Sequence, residues 1–143
     1  MNLSIQVVDT NYIAQVWPRV EGYLVDALVK DNDAPEWSEC YNIHHVQAFL
    51  ANGMWLLLVA VDEQAEIQGA ATVSFANYPM ARVAFISLIG GRLISNRDTF
   101  EQMKMILKQR GATKVQGYGR ESIVRLWKRY GFEPRTTLVE VKL

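Results

Sequence analysis

Apolar and polar positions recur along this chain with two different periods. Leu3, Ile5 and Val7 alternate with polar residues, which predicts a first, half-buried strand. From Tyr12 to about Lys30 the apolar residues recur every three or four positions, which predicts a long amphipathic helix. A second helix is predicted over roughly residues 42–52, after a polar stretch that we interpret as a loop.

Pro18 lies inside the first helical pattern. Proline has no amide hydrogen, and its ring clashes with the preceding helical turn. We therefore expect a break near Trp17, with Pro18 in the first turn of the main helix.

The middle of the chain has the pattern of a strand meander. Continuous apolar residues over 54–61 predict a buried strand, and β-branched and small residues predict two more strands over 67–76 and 82–89. Turn residues at 62–66 and 77–79 separate them, which implies antiparallel hairpins.

Helical periodicity returns after Gly90 and Gly91, with Ser95 and Asp98 as an expected capping box. A strand is predicted over 113–118, then a short helix that Gly131 ends, and finally a closing strand over 136–143. The predicted order is β-α-α-β-β-β-α-β-α-β. This order predicts an α/β (α+β) protein, with a mixed, mostly antiparallel sheet flanked by about four helices in a single domain that covers residues 1–143.

Composition excludes several classes of protein. The chain has 143 residues, half of them hydrophobic, and its longest apolar run is far shorter than the roughly 20 residues that span a bilayer. No cationic start precedes an apolar segment, so we expect a soluble, cytoplasmic protein without a signal peptide. Cys40 is the single cysteine and the two histidines do not complete a ligand pattern, so we expect neither a disulfide nor a metal site.

The net charge of zero hides an asymmetry along the chain. Residues 1–66 hold ten carboxylates and two cations, whereas residues 67–143 hold 13 cations and five carboxylates. A basic half suits a polyanion such as a coenzyme pyrophosphate, and an acidic half suits a cationic amine. The alternative is that the two halves face each other or face water. We do not expect a nucleic-acid partner, because no groove-reading motif accompanies the basic residues.

The run 126–132, Leu-Trp-Lys-Arg-Tyr-Gly-Phe, resembles the end of the GNAT (general N-acetyltransferase) fold. In that family a helix ending in leucine-tyrosine-x-x-x-glycine-phenylalanine leads to a last strand, and the predicted element order matches the family over essentially the full chain. The resemblance implies acetyl-CoA as cofactor and a small-molecule or peptide amine as acceptor. Two positions depart from the family: Trp127 replaces the tyrosine that often serves as general acid, and Arg120 replaces an asparagine. An indole N–H is not a usable acid.

The resemblance also places a pyrophosphate site between the strand over 82–89 and the next helix, where backbone amides at a helix N-terminus attract anions. The family's glycine-rich spacing is absent, and a glycine bend before a capped helix explains this stretch equally well. The residues that the resemblance implies for cofactor binding are Leu88, Ile89, Gly90, Gly91, Arg92, Ser95, Asn96, Arg97, Arg120 and Trp127. For Trp127 the alternatives are a core anchor and a wall of the coenzyme channel.

Acetyl transfer needs a base for the amine, an acid for the thiolate and a donor to the thioester carbonyl. In GNAT enzymes the carbonyl donor is a main-chain amide, here within residues 85–88. His44 and His45 are candidate bases, as are Glu36 and Glu39 in the preceding loop. The candidate acids are Tyr118 and Tyr130.

Two functional hypotheses remain open. One is an acetyl-CoA-dependent N-acetyltransferase, and the other is a non-catalytic binding or structural protein of the same fold. The sequence is most similar to the small, divergent GNAT-like proteins of tailed phages and prophages, in its residues 77–91 and 119–132. This similarity implies a bacterial host cytoplasm or a virion as location, and a protein partner if the role is structural. A homodimer is left open.

Overall fold

The structure is a computed structural model that describes residues 2–30, 40–119 and 121–143. It contains one five-stranded sheet. The strands are β1 (Ser4–Val8), β2 (Leu56–Val61), β3 (Ile67–Tyr78), β4 (Ala81–Gly91) and β5 (Lys114–Gly117). The helices are α1 (Ile13–Lys30), α2 (Ile43–Ala51), α3 (Arg97–Gln109) and α4 (Glu121–Lys128), and a 3₁₀ turn over Thr10–Tyr12 precedes α1.

The strands lie in chain order, β1-β2-β3-β4-β5. The first four pair antiparallel, and β5 pairs parallel with β4. Because a parallel neighbour needs a crossover, α3 carries the chain from the end of β4 back to the start of β5. The predicted fold class, a mixed and mostly antiparallel sheet with four helices, is confirmed.

Helices cover both faces of the sheet. On one face α1 and α2 pack with Leu57, Val59, Ala70 and Leu88, and on the other α3 and α4 pack with Leu58, Val73, Ala84 and Ile86. Alternate residues of a strand point to opposite faces, so β2 contributes Leu57 to one core and Leu58 to the other. The continuous apolar run of β2 follows from this burial on both faces.

The expected break at Pro18 is wrong. Helix α1 runs without interruption from Ile13 to Lys30, with Pro18 inside it. Proline removes one helical hydrogen bond, but Trp17 before it and Val20 and Leu24 after it are buried in one cluster. Packing along one apolar stripe therefore holds both parts of the helix on the sheet.

The end of α4 matches its prediction. Gly131 has a φ of +97°, and the amide of Phe132 donates to the carbonyl oxygen of Trp127 at 3.3 Å. This six-to-one bond is typical of a glycine-terminated helix, in which the following apolar side chain packs back onto the helix. The ring of Phe132 lies 5.0 Å from that of Trp127.

The predicted closing strand over 136–143 is wrong. In the structure these residues are exposed and outside the sheet, with Val139 85% and Val141 80% exposed. Strand propensity reflects packing against neighbouring strands more than a preference of the backbone itself. The segment pairs with no strand of the described sheet, whose edge strand β5 spans only four residues, Lys114–Gly117.

Candidate functional site

The ladder between β4 and β5 is short and ends in the middle of β4. Its last pair is Ile86 with Gly117, whereas β4 continues to Gly91, which pairs with Gly69 of β3. The last five residues of β4 thus extend past the end of β5. Strand edges that lose a neighbour expose backbone donors and acceptors that a ligand can use.

A β-bulge interrupts β4 at the same level. Val73 pairs with Ile86 and Thr72 pairs with Leu88, so Ser87 is the extra residue. Ile86 and Leu88 are two positions apart and would share a face of a regular strand, yet they pack on opposite faces of the sheet. The inserted Ser87 therefore reverses the alternation of β4, as bulges do beside many active sites.

The polar groups of the bulge differ in their hydrogen bonding. The amide of Leu88 donates to Thr72 Oγ1 at 3.1 Å. Ser87 is only 6% exposed, and within the described part of the chain its Oγ has no hydrogen-bond partner. A buried hydroxyl in this condition is rare enough to require an explanation.

Aromatic side chains lie around the end of the ladder. The ring of Tyr118, directly after β5, lies edge-on to Phe85 at 5.2 Å. Trp127 of α4 is 6% exposed, and a Cβ on Gly117 would lie 3.4 Å from its indole. Trp127 thus belongs to the core on the face of α3 and α4, and it contacts β5 where the ladder ends.

Gly90 and Gly91 are required by packing at the end of β4. A Cβ on Gly90 would lie 2.5 Å from the carbonyl oxygen of Tyr23 in α1, so the helix backbone touches the strand there. Gly91 has a φ of +66°, and a Cβ on it would lie 2.5 Å from the carbonyl oxygen of Gln68. Of the two residues before them, Leu88 is buried and Ile89 is half-buried in the two cores.

The turn before α3 uses its own side chains to satisfy its amides. Thr99 Oγ1 accepts from the amides of Ser95 at 3.1 Å and Asn96 at 3.3 Å, and Asn96 Oδ1 accepts from the amide of Thr99 at 2.9 Å. The expected capping box of Ser95 with Asp98 is therefore wrong. Asn96 and Thr99 form the box instead, since Thr99 is fully buried and its hydroxyl reaches back to two amides.

The cations of this region are exposed. Arg92 follows β4 directly, and its amide donates to the carbonyl oxygen of Gln68 at 2.9 Å. The guanidinium of Arg97 donates to the carbonyl oxygen of Arg129 at 2.7 Å and lies 5.9 Å from the centre of the Tyr130 ring. Tyr130 also packs on Phe100 of α3 at 5.5 Å.

The two histidines lie in the first turn of α2 and are exposed. His45 Nδ1 accepts from the amide of Asn42 at 3.0 Å, and Asn42 Oδ1 accepts from the amides of both histidines. A neutral imidazole that accepts at Nδ1 carries its proton on Nε2, so its outer nitrogen is a donor. Helix α2 covers the opposite face of the sheet from Tyr130, and the structure therefore separates these candidates.

An aromatic cluster flanks α2. Trp55, just before β2, contacts Tyr41 at 5.2 Å and Phe49 at 4.9 Å. Burial, and to a smaller extent the neighbouring Cys40, raises the pKa of the Tyr41 phenol, so that it keeps its proton at neutral pH. These residues form an apolar wall on the α1 and α2 side of the sheet.

Some of the predicted residues are outside the described part of the chain, namely Arg120 and the acidic candidates Glu36 and Glu39. Among residues 2–30, 40–119 and 121–143, no group of three or more His, Cys, Asp or Glu side chains is arranged to bind a metal ion. Over the same ranges, no helix combines the length and the apolar character that crossing a membrane requires.

The family resemblance includes Ser87 only for its main-chain amide, within residues 85–88, and predicts no role for its hydroxyl or for Thr99. Ser87 is a lone serine in an apolar run, and the signal for it was the broken alternation Ile86-Ser87-Leu88-Ile89, which is typical of a bulge. Thr99 was hidden because a capping box is normally recognised by Glu or Gln at the third helical position.

Comparison with known proteins finds similarity in structure only. No protein-family model and no curated protein matches the sequence. An aminoglycoside acetyltransferase from an uncultured soil sample, solved with sisomicin, is 12% identical with a TM-score of 0.69, over 99% of this chain and 95% of that one. A predicted acetyltransferase from Clostridium acetobutylicum, solved with acetyl-CoA, is 17% identical with a TM-score of 0.63, over 99% and 96%.

An acetyltransferase from Trypanosoma brucei is 12% identical with a TM-score of 0.62, over 99% of this chain and all of that chain. The likeness extends over whole chains, whereas the identities are too low to transfer an activity. The sheet order, the parallel β4–β5 pair and these neighbours show that the chain has a GNAT-like fold.

Proposed function

We propose that this protein is an acetyl-CoA-dependent N-acetyltransferase that acts on an unidentified amine. The observation that supports this best is the end of the β4–β5 ladder at Ile86 and Gly117, beside the bulge at Ser87. Whole-chain likeness to acetyltransferases, one of them solved with acetyl-CoA, adds to the support.

The geometry suits the thiol arm of coenzyme A. The pantetheine part of the coenzyme is a narrow chain with two amide groups, and such a chain can hydrogen-bond to a strand edge as a peptide does. Past Gly117, β4 has an edge that β5 does not cover. A pantetheine arm along this edge brings the thioester to the level of Ser87 and Tyr118.

Of the two candidate acids we favour Tyr118. It directly follows the last paired residue of β5, and it touches Phe85 of β4. Tyr130 instead packs on Phe100 of α3, against the core on the α3 and α4 face of the sheet. A phenol beside the thioester sulfur supplies the proton that the departing thiolate needs.

Of the described candidate bases we favour His44. Its neighbour His45 uses Nδ1 in the cap of α2, which leaves a donor at its outer nitrogen. His44 is exposed on the same helical turn, and only its amide takes part in the cap. A neutral imidazole is a competent base near pH 7.

The coenzyme phosphates would depend on side chains more than on backbone amides. The amides of Ser95 and Asn96 already donate to Thr99. The exposed Arg92 and Arg97 flank this turn and supply positive charge at the end of β4. Gly90 and Gly91 contribute by letting the chain turn closely against α1 and β3.

The same turn supports the alternative function. Because the amides of Ser95, Asn96 and Thr99 already have acceptors within the turn, they are not offered to a phosphate, which favours a GNAT-fold binding or structural protein that lacks the coenzyme. On this alternative the protein is phage-encoded and binds a virion or host protein. For either function we also propose that the protein is located in a bacterial cytoplasm and forms a homodimer.

Calorimetric titration with acetyl-CoA and with CoA tests the proposal. We expect micromolar affinity for both, and a loss of about tenfold or more in Arg92→Glu, since reversing one charge beside a polyanion changes the binding free energy by about 1–2 kcal/mol. The effect should shrink as salt is added. Gly91→Glu is an unsuitable probe, because a side chain at Gly91 distorts the strand itself.

Lys108→Glu is the matched control. Lys108 is exposed in the last turn of α3, at the opposite end of the helix from Arg92. Lys108→Glu makes the same change of charge as Arg92→Glu, and we expect its affinity for the coenzyme to equal that of the wild type. Absence of heat up to millimolar ligand in the folded wild-type protein would reject the acetyltransferase and leave the binding protein.

A further inference from the structure

The backbone amides of β4 at the bulge are not all free to bind a ligand. The amide of Leu88 donates to Thr72 Oγ1 on β3, at 3.1 Å. Residues 85 and 86 still pair with β5, at Gln116 and Gly117. Among residues 85–88, Ser87 is the one that has a register partner on neither β3 nor β5.

Ser87 carries a second donor besides its amide. Its hydroxyl is more than nine-tenths buried, and within the described chain its Oγ has no partner. Burial of a hydroxyl without a hydrogen bond destabilises a fold, so such groups persist mainly where a ligand or water completes them. Packing in the two cores does not require the hydroxyl, since alanine would fill nearly the same space without a buried polar atom.

The strand register places Ser87 beside the favoured acid. The last pair of the ladder is Ile86 with Gly117, so Ser87 follows the last paired residue of β4 and Tyr118 follows the end of β5. A thioester carries its carbonyl oxygen and its sulfur on the same carbon atom. Two donors on neighbouring strand ends can therefore address the two atoms separately.

We propose that the Ser87 hydroxyl donates a hydrogen bond to the thioester carbonyl oxygen of bound acetyl-CoA. The proposal rests on the acetyltransferase function proposed above. In the reaction the amine nitrogen bonds to the carbonyl carbon, negative charge collects on the oxygen, and the C–S bond then breaks with its electron pair on sulfur. The amine proton goes to the base, and the thiolate takes a proton from Tyr118. The Ser87 hydroxyl stabilises the oxygen while it is charged.

Isotope-edited infrared spectroscopy tests this contact directly. Acetyl-CoA labelled with ¹³C at the thioester carbonyl is bound to the wild-type protein and to Ser87→Ala. We expect a lower stretching frequency in the wild type than in Ser87→Ala, because the hydroxyl donates to the carbonyl oxygen only in the wild type. Affinity for acetyl-CoA should fall about 3- to 10-fold, as for the loss of one neutral hydrogen bond, while affinity for CoA, which has no carbonyl there, stays unchanged.

Ser74→Ala is the control. Ser74 is half-buried on β3 and pairs with Phe85, one position along the sheet from the bulge. It should leave the carbonyl frequency and both affinities as in the wild type. CoA binding also shows that each variant is folded and has an intact site.

The outcomes separate this proposal from the function on which it rests. If the wild type binds both coenzymes and Ser87→Ala leaves the carbonyl frequency unchanged, the role of Ser87 is wrong and the acetyltransferase stands. Equal frequency shifts in Ser87→Ala and Ser74→Ala also overturn the role of Ser87, because they indicate a general change at the end of the β4–β5 ladder. If the wild type binds neither coenzyme, the function and the role of Ser87 are rejected together.

Discussion

The turn before α3 and the end of β4 are neighbours in the chain and opposite in their hydrogen bonding. In the turn, Thr99 Oγ1 accepts hydrogen bonds from two backbone amides, and Asn96 Oδ1 accepts one from the amide of Thr99. At the end of β4 the ladder with β5 stops and Ser87 Oγ has no partner within the described chain. Family resemblance draws attention to the first region, whereas the unsatisfied chemistry lies in the second.

This contrast shows how a site can be located without a motif. A polar group that is satisfied inside the protein stabilises the fold and has little to offer a ligand. A buried polar group without a partner destabilises the fold, and a ligand that supplies the partner recovers that free energy. The free energy of unfolding and the affinity for coenzyme should therefore respond in opposite ways to changes in the two regions.

The largest expected effect on the free energy of unfolding comes from Gly91, at the end of β4 between the two regions. Gly91→Ala should lower the free energy of unfolding by about 2 kcal/mol or more, because of its positive φ and the 2.5 Å approach to the carbonyl oxygen of Gln68. Urea unfolding followed by tryptophan fluorescence measures it. Gly22→Ala is the matched control, since Gly22 is in α1 with open space around its Cα. It should raise the free energy of unfolding by about 0.5–1 kcal/mol. Equal effects in the two variants would show that the strand end tolerates a side chain.

The contrast itself is tested by removing one hydroxyl from each region. Thr99→Val keeps the shape of a fully buried side chain and leaves the amides of Ser95 and Asn96 without their acceptor. It should lower the free energy of unfolding by about 1–3 kcal/mol. Ser87→Ala should leave it unchanged or raise it by up to about 1 kcal/mol, because it removes a buried group that lacks a partner. Thermal and urea unfolding of both variants decide the order. A larger loss in Ser87→Ala than in Thr99→Val would contradict the comparison.

The smallest expected effect is on the turn between β2 and β3. There the backbone amides donate to a carboxylate, whereas in the turn before α3 they donate to neutral side chains. Asp62 Oδ1 accepts from the amides of Gln64 at 2.9 Å and Glu66 at 3.0 Å. The hydrogen bond from the Glu66 amide is the largest cause of a lowered pKa of Asp62, desolvation opposes it, and hydrogen bonds from the Gln68 side chain and the Gln64 amide lower the pKa further. A lowered pKa stabilises the fold above the unfolded value of about 3.9, and the stabilisation is lost as the pH falls through the folded pKa.

Asp62→Asn keeps an acceptor oxygen but removes the titration. The free energy of unfolding should therefore fall less steeply between about pH 5 and pH 2 in this variant than in the wild type. Thr99→Val serves as the reference, because a neutral acceptor gives no pH dependence and its slope should match the wild type. Parallel slopes for wild type and Asp62→Asn would show that the aspartate pKa does not contribute.

Much of the fold was predictable because burial imposes a period on the sequence. The strand meander and the four helices follow from that period, and Gly131 with Phe132 marked the end of α4 correctly. The predicted ends of the strands were less accurate. Strands β3 and β4 extend to Tyr78 and from Ala81, so the hairpin turns at 79–80 and not at 77–79.

The errors come from interactions between distant parts of the chain. Pro18 disfavours a helix locally, but the sheet side of α1 packs continuously across it. The segment 136–143 has the composition of a strand, but strand formation depends on a partner. Ser87 has no local signal beyond a broken alternation, because the missing hydrogen-bond partner of a hydroxyl is a property of its surroundings. Which amine binds depends on surface side chains, and the hydrophobic period of the sequence carries no information about them.

The exposed segment 133–143 matters for how the protein behaves in concentrated solution. Leu138, Val139 and Val141 are 50%, 85% and 80% exposed, and the segment follows Phe132, which is held on Trp127. An exposed apolar stretch with β-branched residues that is outside its own sheet favours pairing between molecules. Self-association should therefore begin at this segment while the two cores remain folded, and dilution should reverse it before any unfolding occurs.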